Sequence, residues 1–427
     1  MLDITDDFGM GLDFPDMPKS QKCIIKVIGV GGGGGNAVNH MFNEGIHDVT
    51  YVLCNTDSKA LEESPVPNHL QLGKDGLGAG NRPERGREAA MESIEEIRQM
   101  LSDGTRMVFV TAGMGGGTGT GAAPIIAQCA KDMDILTVGI VTIPFLFEGK
   151  TKIMQALEGV LEISKHVDAL LVINNERLRE IYQDLSVSNA FAKADDTLSV
   201  AAKSIAEIIT MRGMINLDFN DVKTVLKDGG VAIMSTGYGE GSGRVSKALE
   251  EALHSPLLNN NDIYNSKKVL LNINFCADDE HSSLMMEEMN EINDFMSQFQ
   301  PDVETKWGLA TDPSLGKRVK ITILSSGFAL QGITPAGSAK KEVDEEVIRD
   351  RERHRQLEEA IDKFYKSQDP TAAKVNPYVF IYDLNTFDND DVIARVDGKP
   401  TFNRTREERN AIERLSAQDF VQDSGAV

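Results

Sequence analysis

The chain has 427 residues, 41% of them hydrophobic, and a formal net charge of −22. That length predicts two packed domains plus some unstructured chain, and the charge excludes nucleic acid or anionic lipid as a direct partner, since the chain repels both. No apolar run reaches the ~20 residues of a membrane span, which predicts no direct membrane insertion, and Cys23, Cys54, Cys129 and Cys276 lack paired spacing, which predicts reduced thiols in a cytoplasmic protein.

After an acidic N-terminal segment without the apolar core of a secretory signal, strand and helix patterns alternate. Cys23–Val30 is a β-branched run ending in glycines, and Ala37–Glu44 continues as a helix. Strands are predicted at Val49–Cys54, Met107–Thr111, Ile135–Ile143 and Ala169–Ile173, with helices at Arg85–Leu101 and Gly121–Lys131 between them. This alternation implies a parallel sheet covered on both faces. The amphipathic stretch Phe191–Met211 is too long for a routine crossover and predicts a spine joining two domains. Beyond Asn216 the pattern becomes mixed. Strands are predicted at Val231–Gly237, Lys268–Phe275, Val303–Ala310 and Arg318–Ser325, and helices at Arg244–His254 and His281–Gln298. Met285, Met286 and Met289 are expected to be core filler on the second of these helices. The core signal fades after Gly327, and Lys340–Lys366 is dense in charges of both signs.

The predicted fold is therefore α/β, with a flexible leader over residues 1–20 and a Rossmann-like parallel-sheet domain over 21–190. A central helix over 191–214 joins this to a smaller α+β domain over 215–330, followed by a disordered linker and tail over 331–427.

Two glycine segments carry the chemistry. Gly29–Asn39 (GVGGGGGNAVN) lies between a strand and a helix, where backbone N–H groups and the helix amino end can hold a phosphate chain. Alone it is ambiguous, because Gly29, Gly31 and Gly34 also satisfy the G-x-G-x-x-G dinucleotide pattern, and Asp57 could serve as that fold's ribose-binding acid. The second segment, Thr111–Pro124 (TAGMGGGTGTGAAP), has the same strand-to-helix placement. Two glycine segments at adjacent strand ends suggest a di- or triphosphate gripped from both sides, with Thr118 and Thr120 adding hydroxyls.

GGGTGTG resembles the signature of the tubulin and FtsZ superfamily, and further motifs match in order from about residue 21 to 330. The resemblance implies an assembling GTPase that binds GTP or GDP, with Mg²⁺ held mainly through the phosphates and water and no protein metal site. It assigns Gly32, Gly33, Gly34, Gly35 and Asn36, with Gly115, Gly116, Gly117, Thr118, Gly119 and Thr120, to the phosphates. Asn55 and the Gly76–Gly80 loop, including Gly80, are assigned around the ribose and terminal phosphate. Glu148 and Lys152, four apart on a helix face, match positions near the ribose; the family usually has Arg at the second, so Lys152 loses a planar fork. Asp195 matches the carboxylate that accepts both guanine donors, with Phe191 placed to stack on the base and Asn175 as a second base contact.

In Asn216–Val222 (NLDFNDV), Asp218 and Asp221 lie three apart at the start of a short helix, which read alone is a cap with an acidic first turn. The resemblance matches this segment to the family's synergy loop. It implies that Asp218 and Asp221 orient the attacking water in the next subunit's site, while Asn216 holds the loop. The implied assembly is a head-to-tail homopolymer at the division site beneath the inner membrane. Lys399–Arg404 (KPTFNR) loosely matches the family peptide that binds membrane-tethering and regulatory division proteins. Two alternatives remain at this level: a tubulin-like scaffold or plasmid-segregation GTPase, and a Rossmann-type oxidoreductase.

Overall fold

A computed structural model describes residues 23–46, 48–182, 186–211, 213–255, 263–277, 283–300 and 302–328. Six parallel strands form the first half of the sheet: β1 (Ile25–Val30), β2 (Val49–Asn55), β3 (His69–Gln71), β4 (Met107–Gly113), β5 (Leu136–Ile143) and β6 (Ala169–Asn174). Their order is β3-β2-β1-β4-β5-β6, that of a doubly wound nucleotide-binding sheet. Along β1, residues alternate between two cores. Ile25 and Val27 face one containing α1 (Gly31–Glu44) and α8 (Val187–Thr210), while Ile28 and Val30 face one containing α5 (Thr118–Asp132). Lys26 is buried in this strand, its ammonium donating to the Met100 carbonyl and, at 2.8 Å, to Asp103 Oδ2.

The sheet continues without a break. β8 (Gly230–Gly239) pairs with β6 through Ala169↔Gly230 and Leu170↔Val231. Beyond it lie β11 (Val319–Phe328), β9 (Lys268–Phe275), β10 (Glu304–Thr311) and the edge strand β7 (Gly213–Ile215), completing eleven strands. The pairings here are antiparallel except for β9 with β10. This half is the predicted mixed one, and α10 (Arg244–Leu253) and α11 (Glu288–Met296) pack on it in a third core.

α8 is the predicted spine. It has 24 residues and so runs about 36 Å, and it begins at Val187, four residues before Phe191, because Ser186 Oγ accepts the Asn189 N–H as its cap. Ala194, Leu198, Ala201, Ala202, Ile205 and Ala206 form its buried face.

The structure corrects several sequence expectations. The helix expected to begin at Ala37 begins at Gly31, so the glycine run is helical rather than a loop. The helix expected over Arg85–Leu101 is two, α3 (Pro83–Glu92) and α4 (Ile94–Leu101), divided where Ser93 Oγ accepts the Gly73 N–H at 3.0 Å. The helix expected over His281–Gln298 is reduced to α11, with residues 278–282 outside the described residues. Met285 and Met286, expected in the core, are 58% and 83% exposed because they precede that helix; Met289 packs against the third core as expected. The leader and the segment 331–427, including Lys399–Arg404, also lie outside the described residues.

Candidate nucleotide site

The first observation at the carboxyl end of the parallel strands is how closely α1 and α5 approach. A Cβ on Gly31 would meet the Gly119 nitrogen at 2.8 Å, one on Gly34 the Thr111 carbonyl oxygen at 2.3 Å, and one on Gly119 the Gly113 carbonyl oxygen at 2.6 Å. Gly117 is pressed in the same way by Ala79 and Arg82, at 2.7 and 2.8 Å. These glycines let backbone lie against backbone. Gly32, Gly35 and Gly116 differ, since a Cβ there would enter open space. Glycine therefore has two uses here: some positions bring two helix amino ends together, and others leave main chain bare toward a ligand.

The space between those ends is a cavity of about 390 Å³. It is lined by Gly32, Gly33, Asn36, Gly116, Gly117, Thr118 and Gly119 of the two glycine segments, and by Glu148, Lys152, Asn175, Phe191 and Asp195. Five contributors were missed: Gly113, Met114, Thr142, Pro144 and Ala194. Gly113, Thr142 and Pro144 follow the rule that ligands sit at the carboxyl ends of strands in a doubly wound sheet, here β4 and β5, a signal that could have found them.

The remaining expected residues stand behind this lining. Gly34 is packed on Thr111, and Gly35 opens to unfilled space. Thr120 Oγ1 accepts the Gly115 N–H at 2.8 Å, which holds the loop's own turn together. Asn55 is buried at the end of β2, where its Oδ1 accepts the Asp57 N–H at 3.3 Å. Its neighbour Thr56 shares a 2.6 Å hydroxyl hydrogen bond with Thr118. Gly80 has a left-handed φ of 58° in the loop whose Ala79 presses on Gly117.

Glu148 and Lys152 do not share one α-helical face as expected. Glu148 closes a 3₁₀ turn, Gly149 (φ 100°) ends it, and Lys152 lies in the first turn of α6 (Lys150–Ser164). They nonetheless pair at 2.6 Å, and Glu148 Oε1 also accepts the Phe145 N–H at 2.9 Å. The missed residue behind this turn is Glu176, 1% exposed, whose Oε2 accepts the Leu146 N–H at 3.0 Å. Phe191 packs edge-on against Phe145 with ring centroids 5.1 Å apart.

In the same lining, Asn175 Oδ1 is buried with no hydrogen-bond partner among the described residues. An orphaned buried acceptor is costly and calls for a donor. Beside it in the lining, burial pushes the Asp195 carboxyl up to about 6, opposed by the nearby His40. Guanine presents adjacent N1–H and amino donors, and these two acceptors suit such a pair.

Asn216, Asp218 and Asp221 do not line this cavity. Asp218 caps α9 (Phe219–Leu226), its Oδ1 accepting the N–H groups of Asn220 and Asp221 at 2.8 and 3.0 Å, and Asp221 Oδ2 accepts the Asp218 N–H in return. Asp221 Oδ1 lies 3.4 Å from Lys306 Nζ, and Asn216 Oδ1 accepts the Gly213 N–H at 2.7 Å. Between the two Asp residues, the Phe219 ring lies 4.9 Å from the Arg106 guanidinium, at the amino end of β4. The cavity is at the carboxyl end of that seven-residue strand, so the two groups are separated by about 20 Å or more within one chain.

Profiles of known families agree with this architecture. The Tubulin/FtsZ family GTPase domain matches residues 24–183, and the FtsZ family C-terminal domain matches 230–329. The cell division protein FtsZ of Porphyromonas gingivalis is 54% identical over 92% of this chain and 88% of its own length. The chain belongs to the FtsZ family. It is a tubulin-like cell-division GTPase that assembles into filaments. FtsZ of Azotobacter vinelandii is 45% identical over 74% of this chain and 80% of its own. An empty FtsZ dimer from M. jannaschii superimposes with a TM-score of 0.66 at 36% identity, covering 75% of this chain and 96% of that one. A further profile, FtsZ C-terminal, matches residues 374–419 and so contains the KPTFNR segment. Among the described residues no helix is long and apolar enough to cross a membrane.

Proposed function

We propose that the cavity between α1 and α5 is the GTP site of this FtsZ-family chain, and that Asn216, Asp218 and Asp221 of an adjoining subunit complete it for hydrolysis. Asn175 and Asp195 accept the guanine donors, Phe191 flanks the base, and Glu148 and Lys152 stand at the ribose. The bare backbone at Gly32 and Gly116, with Thr118, holds the phosphates. The lining carboxylates among the described residues are Glu148, already paired with Lys152, and Asp195, so Mg²⁺ is carried by phosphates and water rather than by a protein cage.

The observation that carries the split site is the separation of the two aspartates from the cavity along β4. The two glycine segments offer the lining amide and hydroxyl groups but no carboxylate to polarise an attacking water, and phosphoryl transfer depends on that positioning. A second copy stacked head to tail brings its α9 end onto the open mouth. Apolar exposure at both ends favours that contact: Leu77 is 88% exposed in the loop beside Gly117, and Met214 and Ile215, beside Asn216, are 71% and 40% exposed. The assembly works at the division site, where the 374–419 segment recruits membrane-tethering and regulatory division proteins.

The test mixes two damaged chains. Asp221→Asn keeps a hydrogen-bonding cap but loses the carboxylate; a chain altered at Thr118 keeps α9 intact and damages the phosphate site. Each alone should hydrolyse GTP ~10²–10⁴-fold more slowly, and their co-assembled mixture should recover activity that neither shows. Mixtures no more active than the sum of their parts, despite demonstrated co-assembly, refute catalysis across the interface.

A further inference from the structure

Beyond the nucleotide cavity, α1 and α8 carry a second set of chemically competent side chains. His40 and Glu44 are four residues apart on α1, hence on one face, and Asp196 projects from α8 toward them. One ligating atom from each lies within 4.8 Å of the others. His40 Nδ1 is buried and has no hydrogen-bond partner among the described residues; the nearby Glu44 Oε1, at 3.8 Å, is too distant to accept from it. The His40 side chain as a whole is 41% exposed, but this enclosed ring nitrogen has nothing to bind and calls for a partner beside it. Asp196 is currently held by Lys193 at 2.6 Å, and Ser199 Oγ donates to Glu44 Oε2 at 3.0 Å.

We propose that His40, Glu44 and Asp196 form a site for a zinc-class divalent cation that pins α1 to α8. One imidazole with two carboxylates suits zinc and its transition-metal neighbours, whereas magnesium favours an all-oxygen, largely hydrated shell. Ligand bonds of ~2.0–2.1 Å require donor atoms roughly 3.3 Å apart, so the three side chains close by about an ångström and leave a fourth position for water. Glu44 is exposed, which provides the entry path. Ser199 orients Glu44 as an outer-sphere partner, and Lys193 competes with the metal for Asp196. The site is separate from the proposed magnesium, which rides on the phosphates, and it does not depend on the nucleotide reading.

The experiment uses the full chain, freed of nucleotide and divalent ions with a chelator, then titrated with Zn²⁺ by calorimetry and with Co²⁺ by visible absorption. One Co²⁺ should bind with the intense ligand-field bands of low coordination, and His40→Ala and Asp196→Asn should each abolish them. Ser199→Ala should weaken binding about tenfold. Lys193→Met should tighten it, a direction that loss of a merely structural contact does not produce. Circular dichroism without metal shows which variants fold; if His40→Ala does not, the near-isosteric Glu44→Gln replaces it. Unchanged stoichiometry and affinity in the ligand variants would place the metal elsewhere on the acidic surface and overturn the proposal. So would failure of the native chain to bind either ion.

Discussion

At the scale of single residues, neighbouring glycines have opposite requirements, and substitution separates them. Gly34→Ala drives a methyl group to 2.3 Å from the Thr111 carbonyl oxygen, where backbone has little freedom to retreat. It should cost about 1–3 kcal/mol or more in denaturant unfolding. Gly32→Ala meets nothing within 4 Å, and alanine favours a helix, so its unfolding midpoint should hold or rise. Its methyl group enters the cavity, however, and GTP affinity should collapse. A destabilised Gly32→Ala with normal GTP binding would contradict this division. Asp195 permits a test by pH. Its carboxyl, raised to about 6, binds a proton more tightly folded than unfolded, so this group's stabilising contribution is complete below about pH 4 and is lost as pH rises through 6. Binding runs the other way, because guanine donors need the carboxylate. GTP affinity should fall up to tenfold per pH unit below 6, and Asp195→Asn should remove that part of the slope while eroding the preference for GTP over ATP.

At the scale of elements, α8 connects the site to the far end of the chain. Its amino-terminal turns supply Phe191, Ala194 and Asp195 to the cavity, and about 25 Å further on it delivers the chain to β7 and Asn216. Its buried face rests on the sheet through small and branched side chains, with Ile205 fully enclosed. Ile205→Ala should destabilise by 2–5 kcal/mol in chemical denaturation, mainly through the cavity it leaves. A cost below 1 kcal/mol would show that α8 is not packed as described. The 3₁₀ turn carrying Glu148 is held from behind by the buried Glu176, so the Glu148 wall of the cavity depends on a carboxylate that does not line it.

At the scale of the whole molecule, the sheet places the glycine cavity and the α9 aspartates at opposite ends, and under the proposed split site a separation of that size makes activity a property of assembly. GTPase activity per chain should therefore rise steeply above a threshold concentration, measured alongside sedimentation. A flat profile to the lowest measurable concentration would mean that one chain holds a complete site. Met214→Asp and Leu77→Lys should shift that threshold upward without weakening GTP binding, since both alter exposed apolar ends rather than the cavity lining.

Much of this was legible from local pattern. The β-branched strands, the two glycine segments after β1 and β4 and the long amphipathic α8 each follow from short-range rules of periodicity and backbone freedom, and a family signature attached a nucleotide to them. The cap role of Asp218 was equally readable, because a carboxylate two and three residues before free helix N–H groups binds them whatever surrounds it. Other features required the tertiary structure. The three-residue edge strands β3 and β7 carry too few residues to show a period, and they exist because a neighbouring strand offers them partners. Gly32 and Gly34 read identically in the chain, and only the packing of α1 on α5 and β4 distinguishes a position that must admit a carbonyl from one that faces open space. Thr142 and Glu176 joined the site because strand order set β5 beside β4 and β6 beside β5. The distance between the aspartates and the cavity is likewise a consequence of strand direction, a long-range property that no local window of residues contains.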